Sequence, residues 1–322
     1  MRGINIVFIQ IILSLILAIN AYAGGARSNA PIVEPIDCPG FDNSPGNPGS
    51  INAGLSCYSV TGWSKGNHEV NCTIIVPDNA EDGIPLIAWA NGWEQGNVLG
   101  QCTTNGYLRG LKLWAKSGYV VAAANQWSVQ ESDVLACANW VEQNNGDNDI
   151  PTIDSANIGL AGHSQGGGAV IKAGNGDRNV TVKTVLAMNP YGPSWVRPQN
   201  QDGQVFILGG RNDTTTPPES YAAVSEAIIT QADPGGINAI SILGTHNSDA
   251  WGTYDEEGLQ TMSCDDAAME DFANFQAAGF LWWEANLKDD ANAMNTLQTL
   301  LCNEAVWEPP EHGGVEGFSD CL

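Results

Sequence analysis

Asn157-Ile158-Gly159-Leu160-Ala161-Gly162-His163-Ser164-Gln165-Gly166-Gly167-Gly168-Ala169-Val170-Ile171-Lys172-Ala173 decides how this chain is read. The first five residues have the character of a short buried strand. From Gly166 the residues are small and then aliphatic, which predicts a helix that opens on small side chains. Between them lies Gly-x-Ser-x-Gly, centred on Ser164. A strand-to-helix turn this tight forces the serine into strained backbone geometry and leaves its hydroxyl exposed at the sheet edge. The flanking glycines are needed because side chains there would collide with the neighbouring strand and helix. A Gly-rich turn carrying an ordinary solvated serine does not explain glycines on both sides of one serine after an apolar strand. Ser164 is therefore the candidate nucleophile.

Working outward, strand-like runs alternate with helical patterns. Val70 to Val76, Pro85 to Ala90, Tyr119 to Ala124, Val182 to Met188, Val205 to Gly209 and Ile237 to Leu243 read as strands. Leu108 to Ser117, Ser132 to Gln143, Ala222 to Gln231 and Asp271 to Leu287 read as helices. Alternation of this kind predicts an α/β fold, with a mostly parallel central sheet and helices on both faces. There is no internal repeat and no convincing boundary, so residues 53–322 are expected to form a single domain. Residues 24–52, rich in Gly, Pro, Asn and Ser, are expected to be irregular. Trp140, Trp282 and Trp283 fall in helical patterns and are expected in the core rather than on a sugar-binding platform.

Met1 to Ala23 has the build of a secretory signal: Arg2, an apolar run from Ile4 to Ile19, and a small-x-small site at Ala21-Tyr22-Ala23. The expected product is secreted or periplasmic, cleaved after Ala23 and free of the membrane. Eight cysteines, all beyond Ala23, agree with export and predict disulfides. No Cys-x-x-Cys pair occurs, and His68 and His312 lack partners at metal-ligand spacing. The net charge is −24, from 12 basic and 36 acidic residues. Such a field repels nucleic acid and anionic membranes and leaves neutral substrates as the natural partners. A monomer is expected.

A serine hydroxyl needs a base, and the base needs an orienting acid. Of the four histidines, His163 adjoins Ser164 on the turn and points elsewhere, His68 precedes the sheet core and His312 lies in the tail. His246 follows the strand Ile237 to Leu243, at the end of a parallel sheet where active-site loops gather. In α/β-hydrolases the chain order is Ser, then Asp or Glu, then His. Asp213 lies between the two, one loop beyond the strand Val205 to Gly209. Its plainer role would be to cap the helix that follows. Two backbone N–H groups would hold an oxyanion: that of Gln165, next after the nucleophile, and that of Trp93, in the loop after Pro85 to Ala90.

The chain from about Ile84 onward resembles the bacterial cutinase-like and polyester-hydrolase group of α/β-hydrolases. Gly162 to Gly168 is similar to the group's Gly-His-Ser-Met-Gly-Gly-Gly turn, with Gln165 in place of Met. Asn212-Asp213-Thr214-Thr215-Thr216-Pro217 looks like its acid segment, and Thr245-His246-Asn247 matches its histidine loop. The resemblance implies the α/β-hydrolase fold, ester hydrolysis by Ser164, Asp213 and His246 without metal or cofactor, and a cleft walled by Trp93 and Tyr191. It also implies a Cys302–Cys321 disulfide. Cys38, Cys57, Cys72, Cys102, Cys137 and Cys264 have no counterpart, and their 15 pairings stay open. The acidic insertion Trp251 to Asp266 is a candidate lip over the site. The expected activity is that of a serine esterase acting on a neutral ester or polyester. The alternatives are a lipase or small-ester carboxylesterase, a serine peptidase, and a binding module that kept the fold without the chemistry.

Overall fold

The computed structural model describes residues 32–36, 54–65, 68–92, 104–126, 128–146, 150–174, 179–192, 204–231, 236–244, 253–254, 260–262, 269–303 and 305–311. The expected signal, Met1 to Ala23, lies outside them.

The strands are β1 (Ile32–Ile36), β2 (Leu55–Lys65), β3 (His68–Pro77), β4 (Ile84–Ala90), β5 (Val120–Ala124), β6 (Ile153–His163), β7 (Thr184–Met188), β8 (Gln204–Gly210), β9 (Gly236–Ser241), β10 (Thr253–Tyr254), β11 (Gln260–Met262) and β12 (Trp307–Glu311). The helices are α1 (Thr104–Lys116), α2 (Glu131–Gln143), α3 (Gln165–Ala173), α4 (Pro218–Gln231), α5 (Met269–Leu287) and α6 (Ala291–Leu301). All the strands except β10 and β11 form one ten-stranded sheet in the order β1-β2-β3-β5-β4-β6-β7-β8-β9-β12. The fold is α/β. The run β5-β4-β6-β7-β8-β9 is parallel throughout. Both flanks are antiparallel: β1, β2 and β3 on one side and β12 on the other. The sheet is thus mixed, parallel at its centre and antiparallel at its borders.

Residues 24–52, expected to be irregular, contain β1, which pairs with β2 from Ile32↔Thr61 to Ile36↔Cys57. Within the insertion Trp251 to Asp266, β10 and β11 make a separate two-stranded sheet.

The central strands are buried on both faces, and their side chains alternate between two cores. Leu86, Ala88 and Ala90 of β4 join one core with α2, α3 and α4 residues such as Trp140, Val170 and Tyr221. Ile87 and Trp89 join the other, with Trp114 of α1, Trp282 and Trp283 of α5 and Leu297 of α6. Helices therefore cover both faces, as the alternation of patterns predicts. Trp140, Trp282 and Trp283 are fully buried, in line with the reading of them as core. On the second face the rings pack edge-on, with centroids 5.9 Å apart for Trp89–Trp114 and 5.7 Å for Trp114–Trp283.

Cys72 of β3 is bonded to Cys137 of α2, which staples the antiparallel flank to a helix over the first core. Cys57 and Cys302 are also disulfide-bonded, to partners outside the described residues. Cys321 is outside them as well. Because Cys72–Cys137 closes a 65-residue loop, the chain-entropy account assigns it about 4 kcal/mol. The Cys72→Ala/Cys137→Ala double variant should therefore unfold at clearly lower urea. Reductant should lower the wild-type midpoint toward that of the double variant, because unfolding exposes the buried sulfurs to reduction. A midpoint shared by the double variant and wild type would rule out this contribution.

A second tie joins the ends of α1 and α5. The Tyr119 hydroxyl donates to Glu284 Oε1 at 2.8 Å, and Lys288 Nζ donates to the same oxygen at 2.8 Å while lying 4.3 Å from the Tyr119 ring centroid. Burial, then the bond to Glu284, push the phenol's pKa far above its usual range. The folded state thus keeps a neutral phenol where the unfolded chain ionises, near pH ~10. The stability this group contributes is complete below that pH and is lost as pH rises above it, at about 1.4 kcal/mol per pH unit. Tyr119→Phe should be less stable than wild type at pH 7, by about 1.5 kcal/mol for a bond to a charged acceptor. The gap should narrow between pH 10 and 11.5 in urea melts. A constant gap would exclude Tyr119 as the group responsible.

Candidate functional site

β6 ends at His163 and α3 begins at Gln165, so Ser164 is the whole turn between them. Its backbone has φ 53° and ψ −119°, a conformation L-residues avoid and keep only when their surroundings impose it. Three hydrogen bonds impose it here. Ser164 N donates to Met188 O at 3.0 Å, while Ser164 O accepts from Gly168 N at 3.1 Å and from Tyr191 N at 2.7 Å. The glycines are sterically required, as expected. A Cβ on Gly162 would lie 2.5 Å from Gly166 O, and one on Gly166 would run into the carbonyls of Ala90 and Asn91. His163 is buried, with Nδ1 hydrogen-bonded to the Tyr107 hydroxyl. Its ring is thereby engaged by α1.

The loop after β4 reaches the serine. A Cβ on Gly92 would meet Ser164 Cβ at 3.2 Å and His163 Nδ1 at 3.1 Å. Asn91 anchors this loop: its Oδ1 accepts from Trp89 Nε1 at 2.7 Å and its Nδ2 donates to Ala124 O at 3.1 Å. Trp93, the next residue, lies outside the described residues. Gln165 is the first residue of α3, where a backbone N–H has no intrahelical acceptor. Its side chain is tied away from the turn, with Nε2 donating to Ser128 Oγ at 2.7 Å.

Asp213 follows β8 and is only 3 % exposed. Thr215 N and Thr216 N both donate to its Oδ1 at 2.7 Å, and Thr216 Oγ1 lies 2.7 Å from Oδ2. The carboxylate thus braces the turn that leads into α4 instead of capping the helix's own first turn. That helix opens at Pro218, which has no N–H to satisfy.

His246 lies outside the described residues, but the root of its loop is described. β9 stops at Ser241, earlier than the expected Leu243, and the chain turns through Ile242 to Gly244. That turn is laced to the acid loop. Arg211 N donates to Ser241 O at 2.8 Å, Asn212 N to Gly244 O at 2.8 Å, and Asn212 Nδ2 to Ile242 O at 3.1 Å. Arg211 itself is paired with Glu308 of β12 and stands 3.6 Å from Glu219 of α4. Since β6, β7, β8 and β9 are successive parallel neighbours, the Ser164, Asp213 and Gly244 loops leave the same end of the sheet, across three strand spacings of about 4.8 Å.

Two large apolar side chains stand out of this end. Tyr191, expected as a cleft wall, is 53 % exposed, and Leu243 is 55 % exposed. Sequence reasoning passed over Asn189, which is fully buried at φ 41° between Met188 and Tyr191. Nothing in a lone loop asparagine signals burial; only its hydrogen bonds across the sheet do.

The sequence matches no family model, and no curated protein is significantly similar to it.

Proposed function

We propose that this protein is an exported serine esterase with the α/β-hydrolase fold, which cleaves neutral carboxylic esters through an acyl-enzyme. The observation that carries this reading is the backbone of Ser164. A strained serine alone in a strand-to-helix turn, with glycines pressed against the neighbouring strand end, presents a hydroxyl at the head of the sheet. The laced acid and base loops support it, since they would bring His246 beside Asp213. The buried Cys72–Cys137 disulfide supports export.

In this mechanism His246 takes the Ser164 proton as the hydroxyl attacks the ester carbonyl. The amides of Gln165 and Trp93 receive the oxyanion. Asp213 holds the imidazole tautomer and stabilises the imidazolium. The bonds from Thr215 and Thr216 hold that carboxylate in place. The protonated imidazole then gives its proton to the leaving alcohol. Water enters and attacks the acyl carbonyl as His246 takes its proton. The imidazolium returns that proton to Ser164 Oγ as the bond to the acyl group breaks, and the acid departs. Tyr191 and Leu243 favour an apolar acyl or aromatic group near the nucleophile, which fits the polyester and cutin class of substrate.

The test is hydrolysis of short-chain and medium-chain p-nitrophenyl esters and of a solid aromatic polyester film, with Ser164→Ala as control. Film hydrolysis lost in the control fits a polyester hydrolase. Soluble-ester activity alone narrows the reading to a small-ester carboxylesterase. The absence of any serine-dependent activity overturns it.

A further inference from the structure

Asn189 lies between the two halves of the proposed chemistry. Asparagine tolerates its positive φ better than most residues, but that tolerance does not explain what its polar groups reach. Asn189 Oδ1 accepts from Gly210 N at 2.8 Å, across the sheet at the end of β8. Asn189 N donates to Leu208 O at 2.7 Å, and Asn189 O lies 2.9 Å from Thr216 Oγ1. That same hydroxyl lies 2.7 Å from Asp213 Oδ2. On either side of Asn189, Met188 and Tyr191 supply the acceptor and the donor that hold Ser164. One short segment therefore grips the serine turn at its two ends and the acid loop at its middle.

The hydroxyl of Thr216 has one proton and two acceptors. Donated to an ionised carboxylate it forms a charge-assisted bond, the stronger choice. Two backbone amides hold Oδ1, and the Thr216 hydroxyl acts on the other oxygen. A third donor on Oδ2 fixes the carboxylate plane. With that proton on Asp213, the Asn189 carbonyl is only a neighbour of the hydroxyl, and Asn189 is tied to the acid loop by the bond from Gly210 N to its Oδ1.

We propose that Asn189 and Thr216 are positioning residues: Thr216 sets the plane of the Asp213 carboxylate, and Asn189 sets the distance from that carboxylate to Ser164. This rests on the reading of Ser164 and Asp213 as parts of one catalytic site. A misplacement of about 1 Å lowers a rate by roughly a hundredfold without altering binding. The pair should therefore act on kcat and not on KM.

The experiment is steady-state hydrolysis of p-nitrophenyl butyrate by the full-length chain and its variants, with the folded fraction measured by circular dichroism. Thr216→Val, which keeps shape and removes the hydroxyl, should lower kcat about 10- to 100-fold with KM within about twofold. Thr216→Ser should restore most of the rate. Asn189→Gly, which keeps the backbone conformation and removes Oδ1, should lower kcat about tenfold. In an Asp213→Ala background neither substitution should lower the residual kcat further, because the group they position is gone. Equal losses in that background, a serine variant as slow as the valine one, or lower stability with unchanged kcat would each overturn the proposal. If Thr216→Val fails to fold, Asn189→Gly decides. Ser164→Ala, run in parallel, separates the two claims. Activity surviving in it defeats the catalytic reading itself, whereas its loss beside an unaffected Thr216→Val defeats only the positioning role.

Discussion

On the proposed mechanism, alanine at position 164 should lower kcat for ester hydrolysis by roughly 10⁶, the loss seen when the nucleophile of a well-studied serine triad is removed. The expectation is specific because little else changes. Alanine keeps a Cβ and accepts the same φ of 53° at a similar strain. The bonds that fix the turn, to Met188, Gly168 and Tyr191, all use backbone atoms of residue 164. The variant should therefore fold and melt like wild type, and the rate loss should be chemical. Active-site titration with a serine-directed phosphonate should label wild type once and leave the variant unlabelled. A loss of only tenfold would remove Ser164 from the mechanism.

A large effect on fold and activity together is expected from Gly166→Ala. The added Cβ runs into Ala90 O and Asn91 O, which are backbone atoms at the end of a central strand and cannot swing aside like a flexible side chain. Helix α3 must lift from β4 or the loop after β4 must move. Overpacking of this kind destabilises by about 3 kcal/mol. Activity should fall with stability, because Gly92 in the displaced loop is packed against Ser164. Gly83→Ala makes the contrast. A Cβ there meets nothing within 4 Å, and only the positive φ of 82° opposes it. It should cost about 1 kcal/mol and leave kcat unchanged. Urea melts and kcat of the two variants measure both expectations, and similar behaviour of the pair would show that the contact at Gly166 is not limiting.

The centre of the sheet could be read from the sequence because strands buried on both faces are nearly continuous apolar runs. Val205 to Gly209 and Tyr119 to Ala124 match β8 and β5 within a residue. The borders could not. β2, Leu55–Lys65, mixes Ser, Thr and Gly among its apolar residues, and β1 and β12 are short and rich in Pro and Glu. Each is held by a neighbour that local sequence does not reveal. Helix α6 was missed because its buried stripe is only Ala293, Leu297 and Leu301. Its start was nonetheless legible: Asp290 caps it, accepting from Asn292 N and Ala293 N. The candidate serine and acid were found because their loops follow apolar strands. Asn189 and Thr216 were not, because their roles exist only where three strand ends meet.

The two outermost strands are Ile32-Val33-Glu34-Pro35-Ile36 and Trp307-Glu308-Pro309-Pro310-Glu311. An open sheet border invites a second molecule to continue the ladder. Proline offers no N–H to an incoming strand, and on β1 the exposed Glu34 adds a charge to the border. Both borders of the ten-stranded sheet thus carry residues that oppose further strand pairing.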